Sequence, residues 1–313
     1  MSRPIKLNNK ATFKESLSYT FKEMKNNYDA YLFLAPFAII FLLFTLTPVI
    51  ISVWYSFTYY NILEPAKFVG FQNYISLLVN DDVFLTTIKN TFVIAIITGP
   101  IGYLACFFFA WLINELPPLI RSIMVVVFYA PSLSGAAVSI FLVIFSGDAN
   151  GYINSMLLNM GIIKAPILWL TDVKYMMPLL IIIVLWMSLG AGFLSFVAGF
   201  KVVDKSQYEA GYIDGIKNRI QELWFITLPA MRPQLMFGAI MTITSTFAVG
   251  DITTQLFGNP STDYAVHTIM NHLADYGGVR FEMGYACAIA TILFVTMILL
   301  NSAIQKMLSK VGR

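Results

Sequence analysis

The sequence predicts an all-α membrane protein with six transmembrane helices. Of its 313 residues, 58% are hydrophobic and only 12% are charged. Soluble domains carry about twice that charged fraction, because their surfaces face water. Six apolar stretches are each long enough to cross about 30 Å of hydrocarbon. In hydrocarbon, a single stretch can pair all of its backbone N–H and C=O groups only as a helix. The predicted spans are residues 30–56, 90–113, 122–145, 176–200, 235–257 and 283–305.

The distribution of Lys and Arg predicts that both ends of the chain lie in the cytoplasm. Loops rich in these residues stay on the inner side of a membrane. Fifteen of the 20 Lys and Arg residues lie before the first span, in the second and fourth loops, or after the sixth span. The predicted organisation is a cytoplasmic segment at 1–29, a transmembrane domain at 30–305 with a cytoplasmic loop at 204–234, and a cytoplasmic tail at 306–313.

The composition disfavours several classes of function. Cys106 and Cys287 lie in apolar stretches and have no metal-binding or disulfide-framework spacing. His267 and His272 are five residues apart and do not share one helix face, so a zinc site is not expected. A net charge of +3 gives no support to nucleic-acid binding. An enzyme is disfavoured because no nucleophile and base lie at one depth.

The predicted spans contain almost no ionisable residues. Asp251 is the exception, and it lies about 24 Å along the fifth span from Leu235, close to the outer end. A proton- or ion-driven transporter normally needs a carboxylate near the middle of the membrane. We therefore expect an external energy source, and the absence of mid-depth Lys or Arg indicates a neutral solute.

Polar and aromatic side chains in the fourth and fifth spans form a candidate solute pathway. A Trp face beside hydroxyl groups suits a sugar, whose CH face stacks while its hydroxyls exchange hydrogen bonds. The alternative is plain packing, since Ser and Thr in membrane helices often bond their own backbone. The candidate residues are Trp186, Ser188, Thr242, Thr244, Ser245 and Asp251.

The polar loop, residues 204–234, separates the fourth and fifth spans and predicts a helical elbow. Asp204 is a suitable N-cap, and Gln207 three residues later completes a capping-box pattern. Gly215 is the expected end of the first helix, and a second helix is predicted over 216–225.

Small and acidic residues in the first helix of the polar loop predict a docking surface. Ala210 and Gly211 would let another surface approach closely, and Glu209 offers a carboxylate to a partner's Arg. The alternative is a solvated loop that only connects two spans.

At these residues the polar loop resembles the EAA signature of the permease subunits of bacterial ABC importers. The signature reads EAA, three residues, G, nine residues, then I-x-LP. The opening at 30–56 and FVGFQNY at 68–74 also resemble permeases of the maltose, lactose and glycerol-3-phosphate type. The signature is carried by Glu209, Ala210 and Gly211 for EAA, Gly215 at the expected spacing, and Ile226, Leu228 and Pro229 for the ending.

This sequence departs from the signature at two points. Gly211 replaces the third Ala and is still small. Ten residues, rather than nine, separate Gly215 from Ile226. We expect a longer or rotated second helix to absorb the extra residue while the Glu209–Gly215 half is unchanged.

The resemblance implies a type I ABC importer permease fold that crosses the bacterial plasma membrane several times and contacts the lipid bilayer. In such importers two homologous permeases pair, a cytoplasmic ABC ATPase dimer binds ATP and Mg²⁺, and an extracellular binding protein delivers a sugar or oligosaccharide. This chain would bind no cofactor itself. The alternatives are a permease for a polyol, glycerol-3-phosphate or related solute, and an ATP-independent transporter or channel.

The resemblance also assigns roles within the polar loop. Its first helix would be the coupling helix, which lies in a cleft of the ATPase. Leu228 and Pro229 would fix the loop to the fifth span. The residues at the ATPase interface would be Glu209, Ala210, Gly211, Asp214 and Gly215.

Overall fold

The computed structural model describes residue 24, residues 26–135 and residues 137–308. The chain divides into two units, residues 1–54 and 55–313. The first unit contains most of the helix α1, Tyr28–Tyr55. Pro48 has no N–H for the carbonyl four residues back. The helix passes this point with a π-helical turn at Leu42–Leu46, and the Thr47 hydroxyl donates to the Leu42 carbonyl at 2.8 Å.

In the described part of the second unit, the regular secondary structure is helical apart from one antiparallel hairpin. Its strands and helices are β1 (Thr58–Tyr59), β2 (Lys67–Phe68), α2 (Gln72–Ile75), α3 (Asp82–Asn114), α4 (Pro118–Leu133), α5 (Ala137–Ile144), α6 (Tyr152–Asn159), α7 (Val173–Met187), α8 (Ala191–Val202), α9 (Lys205–Ile213), α10 (Arg219–Glu222), α11 (Leu228–Ala230), α12 (Arg232–Phe247), α13 (Gly250–Phe257), α14 (Ile269–Ala274) and α15 (Met283–Leu308). Single π-helical turns follow α2, α10 and α14, at Ser76–Asn80, Leu223–Thr227 and Asp275–Val279.

Six membrane spans are present if a bent helix pair is counted as one. Within the described residues, α1, α3, the pair α7–α8, the pair α12–α13 and α15 are each long and apolar enough to cross a membrane. The sixth span is α4 and α5, which are bent by 80° relative to each other. The fold class predicted from the sequence is therefore confirmed.

Two of the predicted spans, the second and the third, differ clearly from the structure. The second span begins at Asp82 rather than near residue 90, because the Asp81 carboxylate caps it by accepting from the Phe84 N–H at 2.8 Å. The third span is not one helix over 122–145. Ser134 has an extended backbone and ends α4 three residues after Pro131, whose ring already removes a helical hydrogen bond.

The core around α3 places the polar loop at one end of the bundle. A cluster of buried side chains from α3, α8 and α12 includes Phe193, Phe196 and Leu235, and side chains of the polar loop pack against it. Glycines allow the close crossing of α8 and α12, since a Cβ on Gly238 would lie 2.5 Å from the Phe196 ring. The polar loop therefore rests on the ends of three spans.

The polar loop and the segment between α13 and α15 lie at opposite ends of α3. Glu115, just after α3, contacts the polar loop through Arg219 at 3.1 Å. Asn90, near the start of α3, donates to the carbonyls of Tyr264 and His267 at 2.8 and 3.0 Å. A 33-residue helix is about 50 Å long, so these two loops are on different sides of the apolar layer.

Candidate functional site

The first helix of the polar loop has well-defined ends. The Asp204 side chain accepts from the Ser206 N–H at 3.1 Å, so Asp204 is the N-cap, although the bond does not involve the predicted Gln207. At the other end Gly215 has φ +93°, and the Ile216 N–H donates to the Gly211 carbonyl at 2.9 Å. This is the pattern of a Schellman cap, in which glycine is favoured because its φ is positive. The predicted helix end at Gly215 is confirmed.

The second helix begins later than predicted and contains a π-helical turn. Asn218 caps it by accepting from the Gln221 N–H at 2.8 Å, so α10 starts at Arg219 rather than near residue 216. The π-helical turn at Leu223–Thr227 follows at once. A π-helical bond spans five residues instead of four. The turn therefore accommodates one extra residue between Gly215 and Ile226 without lengthening the helix.

Gly211 contacts Ile226 inside the polar loop. Gly211 is buried, and a Cβ at this position would lie 2.6 Å from Ile226 Cδ1. The expectation that a partner surface approaches Gly211 closely is corrected here, since the Ile226 side chain already fills that space. Gly211, which stands where the signature has Ala, therefore leaves the space that the Ile226 side chain fills.

The outward face of α9 carries the other predicted docking residues. Glu209, Ala210 and Asp214 are exposed, as is Gly215. Ile213 joins them with 88% of its surface exposed, the largest value among the large hydrophobic residues of the polar loop. Ile213 was not predicted as a site residue, although an apolar residue two positions before a helix-ending Gly in a polar loop is a usable signal.

A hydrogen-bonded chain of four side chains holds the polar loop together. Glu222 is buried and accepts from the Tyr212 hydroxyl and from Arg219 Nη1, the latter at 2.9 Å. Arg219 Nη2 also donates to Glu115 Oε2 at 3.1 Å. The Tyr212 hydrogen bond, and then Arg219, lower the pKa of Glu222, so this carboxyl is ionised at neutral pH. None of these four residues was predicted from the sequence as part of the site.

The ending of the signature lies where the polar loop meets the spans. Ile226 and Leu228 are partly buried against the cluster that contains Phe196 and Met231, and Pro229 lies in α11 between them and α12. The Tyr208 hydroxyl and Thr227 Oγ1 are 2.9 Å apart. The geometry therefore connects α9, through its inner face, to the residues that lead into α12.

The six candidate pathway residues are not gathered into one pocket within this chain. The hydroxyl groups donate to backbone carbonyls of their own helices, Ser188 to Leu185 at 2.7 Å and Thr242 to Gly238 at 2.9 Å. Thr244 and Ser245 do the same at 2.9 Å. Trp186, Thr244, Ser245 and Asp251 are exposed, Ser188 is half-buried and Thr242 is buried.

Two cavities border these elements. Thr242 lines an apolar cavity of about 450 Å³ between α3, α12 and α15. The other cavity is polar, has a volume of about 140 Å³, and lies at the far end of α3 from the polar loop. There the Asp81 carboxylate lies 3.0 Å from His272 Nε2 and accepts from the Tyr285 hydroxyl at 2.9 Å.

Comparison with known proteins agrees with this geometry. Residues 91–310 match the family described as binding-protein-dependent transport system inner membrane component. The probable ABC transporter permease protein YesP of Bacillus subtilis is 31% identical over 90% of this chain and 91% of that protein. The arabinooligosaccharides transport system permease protein AraP of Bacillus subtilis is 32% identical, over 87% of this chain and 85% of that protein.

Solved structures show the same fold. A crystal structure of a bacterial ABC transporter involved in the import of the acidic polysaccharide alginate contains a chain with a TM-score of 0.73 and 22% identity. The similarity covers 94% of this chain and 100% of that one. The chain therefore belongs to the family of binding-protein-dependent transport system inner membrane components, the permease subunits of bacterial ABC importers.

Proposed function

We propose that this permease imports a sugar or oligosaccharide and that α9 is its docking helix for a cytoplasmic ATPase. An extracellular binding protein would deliver the solute, and a second, homologous permease would complete the pathway. ATP and Mg²⁺ would be bound by the ATPase dimer. Among the relatives, AraP is named for arabinooligosaccharides and LacF of Rhizobium radiobacter, 33% identical over 75% of this chain, for lactose. These names support the solute class.

The exposed face of α9 is the observation that carries the docking proposal. Glu209, Ala210 and Ile213 point outward on a helix whose two ends are capped. An exposed isoleucine beside a carboxylate offers both an apolar anchor and a charge-assisted contact to a partner. The inner face of α9 contacts Ile226 and Thr227, so a displacement of α9 would move the residues that lead into α12.

The docking proposal predicts the effect of one charge reversal. Glu209→Lys leaves the inner face of α9 intact but reverses the charge on its exposed face. We expect the ATPase to be lost when the tagged permease is purified from membranes, and ATP-dependent uptake to stop, while the amount of permease in the membrane is unchanged. Thr262→Lys is the matched control, since it adds the same side chain at an exposed position on the opposite side of the membrane.

Two outcomes would contradict the proposal. The docking role of α9 fails if Glu209→Lys retains the ATPase and normal uptake. The ATP-driven mechanism fails if proteoliposomes that contain the permeases without the ATPase accumulate solute. Uptake of labelled neutral oligosaccharides, compared with labelled glycerol-3-phosphate in the same proteoliposomes, tests the solute class.

A further inference from the structure

The buried carboxylate of Glu222 lies where three parts of the chain meet. Its side chain is only 5% exposed, and it accepts from Tyr212 of α9 and from Arg219 of its own helix. Arg219 continues the contact to Glu115, which follows the last residue of α3. One carboxylate therefore connects the docking helix, the second helix of the polar loop and the end of another span.

We infer that Glu222 is a positioning residue for energy coupling, which makes α9, α10 and the end of α3 move together when the ATPase displaces α9. This inference rests on the proposed docking of α9. It assigns α3 a direct share in the motion, in addition to the path through α11 into α12. The residues that carry it are Tyr212, Glu222, Arg219 and Glu115.

The spacing of contacts along α9 shows what Glu222 adds. Tyr208, Gly211 and Tyr212 are spaced i, i+3 and i+4, so they share one face of α9. Tyr208 and Gly211 contact Thr227 and Ile226, which lie close to α11. Of these three residues Tyr212 is nearest to the Gly215 break, and its partner Glu222 is the last residue of α10. Without the Tyr212 contact, α9 could pivot about Gly211 while α10 stayed in place.

The charges in this cluster allow substitutions that separate a role in coupling from a role in the stability of the folded protein. Removing Arg219 would leave the buried carboxylate of Glu222 without its cationic partner, which costs much stability. We therefore replace the carboxylate itself with a neutral group. Gln at position 222 can still accept from the Tyr212 hydroxyl but loses the ionic attraction to Arg219. The pair Arg219–Glu115 is 64% and 46% exposed, and pairs this exposed add little stability. Breaking it should therefore alter coupling without altering thermal stability.

The test measures solute transported per ATP hydrolysed in proteoliposomes that contain the whole complex. We expect Glu222→Gln and Glu115→Gln to keep the ATPase bound and to lower this ratio about threefold or more, the size that substitutions along a coupling route produce. The double variant Glu222→Gln/Glu115→Gln should be no worse than Glu222→Gln alone, because both act through Arg219. Lys217→Gln, an exposed neighbour outside the cluster, is the control and should leave the ratio unchanged.

The outcomes separate this inference from the proposed function. A normal ratio in Glu222→Gln or Glu115→Gln overturns the positioning role while the docking proposal stands. Loss of the ATPase from Glu222→Gln also overturns it, since Glu222 would then only maintain the docking helix. If Glu222→Gln is not recovered in the membrane, Tyr212→Phe, which removes the hydrogen bond from α9 to Glu222, is measured in its place. A wild-type complex that neither retains an ATPase nor transports with ATP instead contradicts the proposed function.

Discussion

At the scale of single residues, Gly211 and Ile226 show how one departure from the signature, Gly in place of Ala, depends on a neighbouring side chain. A Cβ at position 211 would meet Ile226 Cδ1 at 2.6 Å and Ile216 Cδ1 at 3.1 Å. Both are flexible ends of side chains, so Ala can be accommodated there only if the isoleucines shift. The contact joins α9 to the π-helical turn and leaves no space for a larger residue.

This contact predicts that Gly211→Ala and Ile226→Val compensate for each other. Overpacking costs about 1–3 kcal/mol, and it opposes a gain of about 1 kcal/mol from replacing Gly inside a helix. Ile226→Val alone creates a small void and costs about 0.5–1.5 kcal/mol. We expect the double variant to be more stable than the sum of the two single effects, by about 1 kcal/mol or more. Thermal unfolding in detergent checks this, and strictly additive effects would contradict the contact.

At the scale of elements, the structure explains where sequence patterns succeed and where they do not. Asp204 and Gly215 bound α9 as predicted, because N-caps and glycine caps depend on the few residues beside them. The ion pair Arg219–Glu115 joins residues 104 positions apart, and no local pattern reports such a contact. Glu209, Ala210 and Asp214 on the exposed face were predicted, whereas Ile213 and the cluster around Glu222 were not.

Two of the four π-helical turns within the described residues have the same neighbour in the sequence, a proline. The turn Leu42–Leu46 ends two residues before Pro48, and the turn Leu223–Thr227 ends two residues before Pro229. Proline cannot donate to the carbonyl four residues back, and its ring crowds that carbonyl. In the polar loop the Thr227 hydroxyl donates to the Glu222 carbonyl at 3.2 Å, five residues away. At both prolines, the hydroxyl of a preceding Thr therefore bonds a carbonyl five residues back.

The π-helical turn predicts that the polar loop tolerates the loss of one residue at a particular place. Deleting Phe225, which is exposed, should convert the π-helical turn to an α-helical turn and leave the flanking segments in register. We expect the variant to enter the membrane and to retain the proposed ATPase. Deleting Ala210 from α9 is the control, because it rotates the flanking residues by about 100° relative to each other. The prediction fails if both deletion variants retain the ATPase or if neither does.

At the scale of the whole molecule, α3 is fixed at both of its ends. Near the polar loop, Arg121 Nη2 donates to the carbonyls of Asn114 and Leu116 at 2.7 and 3.0 Å, which caps the helix. At the far end, Asp81 holds His272 of α14 and Tyr285 of α15. The number of spans followed from hydropathy alone. The anchoring of the far end of α3 did not, since His272 and Tyr285 lie 191 and 204 residues from Asp81 in the chain.

The buried residues His267 and His272, at the end of α3 far from the polar loop, predict that acid weakens this anchoring. Burial is the main cause that lowers the pKa of His267 from 6.5 to about 4, with the neighbouring His272 acting in the same direction and Asp275 opposing it. Burial lowers the pKa of His272 as well, against the opposing effect of Asp81. Both imidazoles are therefore neutral in the folded protein at pH 7. The unfolded chain takes up protons below pH 6.5 that the folded chain does not.

The stability contributed by His267 is complete above pH 6.5 and decreases as the pH falls toward about 4, by up to about 3 kcal/mol. The melting temperature of the detergent-solubilised protein should accordingly fall on acidification through this window. His267→Gln places an uncharged amide in the same buried space and should flatten the curve, since only His272 then titrates. Two results would contradict this prediction. One is a melting temperature that rises on acidification, and the other is a pH dependence of the melting temperature that is equally steep in His267→Gln and in the wild type.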